Sequence, residues 1–176
     1  MDKDLERALA ERDVLADEII RKHMKYAVMG GSIPAPVIDL AAVGAVHLAM
    51  IKELASNYGT TFDARSARAF VTSVSGALAG LTAARLAASL MKILPGVGWT
   101  TGSVAQALFT GASTFALGRL VRRLFRENRP LDDLAVSTAT EELNSYFEAG
   151  KDAAAVALER LKSPFARGDN KHDDFQ

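Results

Sequence analysis

The 176-residue sequence contains no cysteine, and only 7% of its residues are aromatic. The absence of cysteine excludes disulfide bonds, thiolate catalysis and cysteine-ligated zinc, and it suits a reducing compartment. The apolar content of 49% comes mostly from Ala, Leu and Val, which favours closely packed helices over a β-sandwich. The N-terminus is highly charged and shows no secretory signal, so we expect an uncleaved cytoplasmic start.

Acidic residues are missing from one long stretch, residues 64–126, which carries eight basic residues. Residues 127–176 hold eleven acids against six bases. The formal net charge of zero is therefore the sum over a basic segment and an acidic one. This segregation favours partners of different sign, with anionic lipid headgroups suited to the basic segment. We expect no nucleic-acid partner, because aromatic platforms and a net basic charge are missing.

Helical periodicity, with Gly and Pro breaks, predicts an all-α helical bundle with a small-residue-rich central hairpin, associated with a membrane. Pro34 and Pro36 form a turn that opens a second helix, which ends at Gly59. Asp63 is a candidate N-cap for a third helix over residues 64–94. The predicted organisation is an N-terminal amphipathic helix (1–29), a helical domain with a hairpin about Pro95 (30–126), acidic C-terminal helices (127–162) with a candidate break at Gly150, and a disordered tail (163–176).

The two hairpin helices, 69–91 and 93–118, are each long enough to cross a bilayer. Glycines along both helices permit close helix packing: Gly76, Gly80, Gly102 and Gly111. Basic residues concentrate at the outer ends, which predicts that both ends lie in the cytoplasm. The arginines expected to face lipid are Arg119, Arg122, Arg123 and Arg126. The Thr and Ser content of the second hairpin helix, residues 93–118, also fits an alternative, a soluble cytoplasmic bundle.

Candidate polar sites are few. Asp39 belongs to the first turn of its helix, where the helix dipole favours a carboxylate, or else it is a buried partner for Arg85. His47 lies two turns further on, and a lone histidine on an apolar face is more often a hydrogen-bonded core residue than a metal ligand. The sequence has no phosphate-binding loop, nucleophile elbow or paired carboxylates. We therefore expect a non-enzymatic protein with no metal and no cofactor.

A resemblance rests on residues 31–39 (Gly-Ser-Ile-Pro-Ala-Pro-Val-Ile-Asp), Lys52-Glu53-Leu54, Tyr58-Gly59 and residues 94–98 (Leu-Pro-Gly-Val-Gly), followed by Ala116-Leu117-Gly118-Arg119. In these segments the sequence resembles the YcjF-like family, the domain of unknown function 697. The resemblance covers roughly residues 18–126. It implies a bacterial, membrane-associated helical module that is often linked or fused to Ras-like GTPases of the Era type. The family has no established catalytic residues to carry over.

Two functions follow as hypotheses. The first is a membrane-associated adaptor or anchor at the bacterial cytoplasmic membrane, with a GTPase as a candidate protein partner. The second is a soluble, self-assembling helical scaffold whose Ala- and Gly-rich helices form the core of a homo-oligomer.

Overall fold

The computed structural model describes residues 3–31, 38–89, 99–134 and 139–166. Within these ranges all regular structure is helical, which confirms the all-α prediction. The side chains of residues 31, 38–41, 82–89, 99–103 and 162–166 are not described. The elements are α1 (Lys3–Gly31), α2 (Ile38–Tyr58), α3 (Ala64–Ser89), α4 (Trp99–Arg126), a short 3-10 turn (Leu131–Asp133) and α5 (Thr140–Ala166).

Local chemistry sets the boundary between α2 and α3. Gly59 has a φ of +71°, a left-handed conformation that glycine adopts at little cost, and it ends α2 as predicted. The Asp63 carboxylate accepts a hydrogen bond of 2.7 Å from the backbone N–H of Ser66, which confirms Asp63 as the N-cap of α3.

The acidic C-terminal segment, predicted to form one or two helices, contains one long helix. Residues 131–133 form only the short turn, and a single helix, α5, then runs without a break through Gly150. It continues to Ala166, four residues beyond the boundary drawn at 162. Residues 167–176 of the expected tail lie outside the described residues.

The central element is α4, which packs most extensively against α5 and α1. Gly111 lies against Val28 and Ala154, and a Cβ at this position would come within 2.5 Å of the Val28 side chain. Gly118 lies against Ile20. These contacts show that α4 is antiparallel to both neighbours, and that the backbones approach closely where glycine replaces a side chain.

The core forms where these helices meet α2 and the inner face of α3. Its largest fully buried side chains are aliphatic: Ile20, Met50, Ile51, Leu54, Leu78, Leu117, Leu120, Leu124 and Leu143. Such a core, made of well-ordered aliphatic side chains, supplies most of the stability of a helical bundle.

The third helix lies at the periphery of the bundle and contacts α4 only sparsely. Gly76 and Gly80 are exposed, and a Cβ at either position would have no described atom within 4 Å. Among the described residues they therefore make no close helix pair, unlike the close α3–α4 packing expected of the hairpin. Gly111 is closely packed as predicted, but its neighbours belong to α1 and α5.

Candidate functional site

The two ends of the bundle differ in charge. The antiparallel arrangement brings the end of α1 and the starts of α2 and α4 to one end, which we call the apolar end. In sequence, Asp39 is the only Asp, Glu, Lys or Arg between residues 27 and 51, and Arg85 and Lys92 are the only ones between 69 and 118. Helix α5 is the exception, because its charged side chains continue to this end. The connections 32–37 and 90–98, which join these helices, are also rich in apolar residues.

Large apolar side chains are exposed toward the apolar end. Tyr26 is 53% exposed, Met29 52% and Val104 36%. Isolated exposed apolar residues are common on soluble proteins, but here they share a region with almost no charge to keep it hydrated. The apolar end is therefore a candidate surface for contact with lipid.

The opposite end, which we call the charged end, holds an ion-pair network between α1 and α4. Asp13 pairs with Arg122 at 3.3 Å and with Arg126 at 3.1 Å. Asp17 pairs with Arg119 at 3.0 Å and also with Arg122. Two acids four residues apart on α1 thus face three arginines on successive turns of α4, as antiparallel helices allow. Arg119 also lies over the ring of Phe115, 5.0 Å from its centroid.

Tyr58 extends this network to the end of α2. Its hydroxyl donates a 2.5 Å hydrogen bond to Asp13, and its carbonyl accepts one of 3.1 Å from Arg12. Burial by itself would raise the pKa of Asp13, but hydrogen bonds from Tyr58 and Arg122 outweigh it and lower that pKa. Burial and the Asp13 carboxylate both raise the pKa of Tyr58, so the phenol stays protonated. The network therefore fixes three helices at the charged end.

The four arginines expected to face lipid have acidic partners inside the chain. Arg119 and Arg122 join the network above, and Arg123 pairs with Glu142 of α5 at 2.7 Å. Only Arg126 is mostly exposed, with 54% of its side chain accessible. Contact with anionic lipid stays a prediction, and Arg126 is the residue best placed for it.

His47 lies in the core between α2 and α4 and is 3% exposed. Its Nε2 is 2.9 Å from the Thr114 hydroxyl, which itself donates to the Thr110 carbonyl at 2.8 Å. Because the Thr114 proton is used in that second bond, His47 Nε2–H is the donor to Thr114. Burial, with a smaller effect from the charge of His23, lowers the pKa of His47 to about 4. His47 is thus a neutral, hydrogen-bonded core residue, as expected from the sequence.

For the remaining predicted site residues, either the whole residue or its side chain lies outside the described part of the structure. Pro34 and Pro36 lie outside the described residues, and the side chains of Asp39 and Arg85 are not described, so their pairing stays a prediction. Asp39 is the second residue of α2, within its first turn. Gly102 belongs to α4, but its surroundings are not described. In the part of the chain that is described, no group of three or more His, Asp or Glu side chains could hold a metal ion.

Comparison with known proteins identifies the family. The family model described as "Domain of unknown function (DUF697)" matches residues 5–149. The chain belongs to this family. The chain is also 34% identical over 153 residues to "Magnetosome membrane protein 22" of Magnetospirillum gryphiswaldense, an alignment that covers 86% of this chain and 78% of that protein. No solved structure matches.

The match confirms the resemblance inferred from the proline turns, and it reaches beyond them into α1 and α5. Among the described residues, one helix is long and apolar enough to cross a membrane. It is the Val104–Arg126 part of α4. Because 67% of its most apolar stretch is buried inside the bundle, length and composition alone are weak evidence that it spans a membrane.

Proposed function

We propose that this DUF697 protein is a non-enzymatic, membrane-associated helical module that inserts its apolar end into one leaflet of the bilayer. The charged end then stays in the cytoplasm, where it can serve as an adaptor for a protein partner. The observation that carries the proposal is the separation of charge along the bundle: an ion-pair network at one end, and almost no charged residue of α1 to α4 at the other.

The burial of α4 argues for shallow insertion over a spanning hairpin. If α4 crossed the bilayer, the core contacts of Leu117, Leu120 and Leu124 would have to be replaced by lipid. Insertion of the apolar end leaves those contacts intact and covers exposed side chains such as Val104 and Met29. The homology to a protein named for the magnetosome membrane supports membrane association in general.

The orientation rests on charge. Transfer of Asp13, Asp17 and their arginines into lipid would be costly even as ion pairs, whereas the apolar end carries few charges. The charged end, which holds the start of α1, is therefore proposed to face the cytoplasm. A Ras-like GTPase is the candidate partner that the family resemblance suggests.

A soluble, self-assembling scaffold is the second candidate function. It is favoured by the burial, inside the core, of α4, the one helix among the described residues that is long and apolar enough to cross a membrane. In that case the exposed face of α3, with Gly76 and Gly80, would pack against another copy.

Vesicle co-sedimentation with two matched variants tests the proposal. Val104→Glu places a charge at the apolar end, and Val14→Glu places the same charge at the exposed position 14 of α1, near the charged end. Moving a carboxylate into the acyl region is unfavourable, so Val104→Glu should weaken vesicle binding about tenfold. Val14→Glu should bind as the wild type does.

The lipid composition separates the contributions of the two ends. Binding to neutral phosphatidylcholine vesicles reports insertion, and any gain with phosphatidylglycerol reports basic contacts such as that of Arg126. Equal loss of binding in both glutamate variants, or no binding to either vesicle by the wild type, would contradict the proposal.

A further inference from the structure

One face of α1 carries apolar residues at alternating spacings of three and four. This spacing is the a/d pattern of helices that pack side by side along their length. We call this face the α1 seam: Leu5, Ala8, Arg12, Leu15, Ile19, Lys22, Tyr26 and Met29.

Most of the seam is exposed, although Ile19 packs partly against the core, and Arg12 and Lys22 interrupt its apolar residues. Leu5, Leu15, Tyr26 and Met29 are each at least 50% exposed, whereas Ile20 and Ala27 on the opposite face are almost completely buried in the bundle. Val14 is the one large exposed apolar residue of α1 that lies off the seam. Most residues of α1 before Arg12 are exposed, whereas Arg12 itself is hydrogen-bonded to Asn57 and Tyr58 at the end of α2.

A groove of about 380 Å³ opens beside the middle of the seam, between α1 and α2. Leu15 and Ile19 form its apolar wall, and Glu53 and Asn57 of α2 form its polar wall. Lys22 crosses it with a hydrogen bond of 2.7 Å to Glu53. The groove therefore offers an apolar contact with a carboxylate at its edge.

The distribution of charge along α1 indicates which partner can pack on the seam. From Lys3 to Glu18 the helix carries six acids and three bases, but from Ile19 to Gly31 it carries three bases and no acid. Even if Asp13 and Asp17 are discounted because α4 neutralises them, the second half remains the more basic one. A parallel copy of the same helix would place three bases against three bases. An antiparallel copy places them against the acid-containing half.

We propose that a second copy of this chain packs antiparallel along the α1 seam, with the two-fold axis near Asp17. In this register Leu15 meets Ile19 of the second copy at the groove, and Leu5 meets Met29. Glu11 lies beside Lys25 of the second copy on the flank. Arg12 comes opposite Lys22, whose charge is already balanced by Glu53 on the groove wall.

The size of the seam sets the expected affinity. Its 29 residues give a helix about 43 Å long and about 10 Å wide, a footprint of about 400 Å². Stable interfaces bury about 800 Å² per partner, so the dimer should be weak and dependent on concentration.

The proposed dimer does not rest on membrane association. Antiparallel packing turns the two apolar ends in opposite directions, so both copies cannot insert into the same leaflet while paired. It is accordingly a property of the lipid-free protein and can be measured without vesicles.

Sedimentation equilibrium of the full chain in lipid-free buffer, from about 1 to 300 μM, tests the proposal. We expect a monomer–dimer equilibrium whose dissociation constant rises about tenfold or more in Leu15→Glu. Val14→Glu, which places the same charge off the seam, should dimerise as the wild type does. Circular dichroism checks that each variant keeps its helical content.

A charge exchange tests the antiparallel register. Glu11→Lys or Lys25→Glu alone creates a like-charge pair across the interface and should weaken the dimer, and the double variant should restore it. In a parallel dimer residues 11 and 25 would not face each other, so the double variant would not restore it. A monomer at all concentrations, an unchanged dimer in Leu15→Glu, or no restoration by the double variant would each overturn the proposal. Vesicle binding lost in Leu15→Glu, with a monomeric wild type, would assign the seam to lipid instead.

Discussion

Replacing Gly150 by alanine tests the close packing of α5 on α4. A Cβ at position 150 would lie 2.8 Å from the carbonyl oxygen of Ala112, 3.0 Å from its Cα and 3.1 Å from Phe115 Cβ. Two of these atoms belong to the backbone of a helix in the core, so they cannot rotate away. The helices must separate by some tenths of an ångström, and overpacking of this kind costs about 1–3 kcal/mol.

Gly80→Ala is the matched control, because a Cβ there would have no described atom within 4 Å. Each substitution replaces a glycine within a helix and so gains about 1 kcal/mol of helix propensity. That gain cancels in the comparison, and the difference between the variants isolates the packing cost. We expect Gly150→Ala to be less stable than Gly80→Ala by about 1–3 kcal/mol.

The assay is equilibrium unfolding in urea, followed by circular dichroism at 222 nm, in lipid-free buffer. Gly80→Ala should be slightly more stable than the wild type, whereas Gly150→Ala should be the least stable of the three. Equal stability of the two variants would refute the helix contact at Gly150 and, with it, the position of α5.

Three further predictions concern His47, the arginines and the α3 face. Lowering the pH from 6.5 to 4 should reduce the wild type's free energy of unfolding by about 3 kcal/mol through His47. This residue takes up a proton near pH 6.5 in the unfolded chain but only near pH 4 in the fold. His47→Gln should therefore flatten this part of a stability profile measured by urea unfolding. Arg122→Ala should cost about 2 kcal/mol in thermal unfolding because it removes one partner from each of the partly buried carboxylates of Asp13 and Asp17. Arg126→Ala should cost under about 1 kcal/mol because the Arg126 side chain is mostly exposed; equal losses would contradict the network. Gly76→Leu with Gly80→Leu should raise the free energy of unfolding by about 1 kcal/mol or more, since two glycines leave a helix and no described atom lies within 4 Å of a Cβ at either position. A less stable double variant would show a contact that the described fold lacks.

Local features of the fold could be predicted from the sequence because they depend on neighbouring residues. Gly59 ends α2 through its own backbone conformation, and Asp63 caps α3 through a hydrogen bond three residues away. The buried, hydrogen-bonded state of His47 followed from a lone polar side chain among apolar ones. For Gly59 and Asp63 the deciding interaction lies within a few residues, whereas for His47 the apolar surroundings predict burial but not its partner Thr114 on α4.

The partners of α4 could not be predicted in this way. Nearness in sequence suggested α3, but the acids that pair with Arg119 and Arg122 lie more than a hundred residues away, on α1. A signal was present: Asp13 and Asp17 are spaced by four, which matches arginines on successive turns of an antiparallel helix. The charge of residues 64–126 alone predicts lipid contact for these arginines and does not reveal their acidic partners on α1 and α5.

The most direct test of the membrane proposal uses Trp99, the only tryptophan in the chain and the first residue of α4 at the apolar end. Its fluorescence is measured on vesicles that contain phosphatidylcholine brominated along the acyl chain. A Trp99→Phe variant that carries Tyr146→Trp reports the charged end of α5 as the control. Insertion of the apolar end predicts quenching of Trp99 and none of the tryptophan at position 146. Bound protein in which Trp99 is not quenched, or in which only position 146 is, would contradict it.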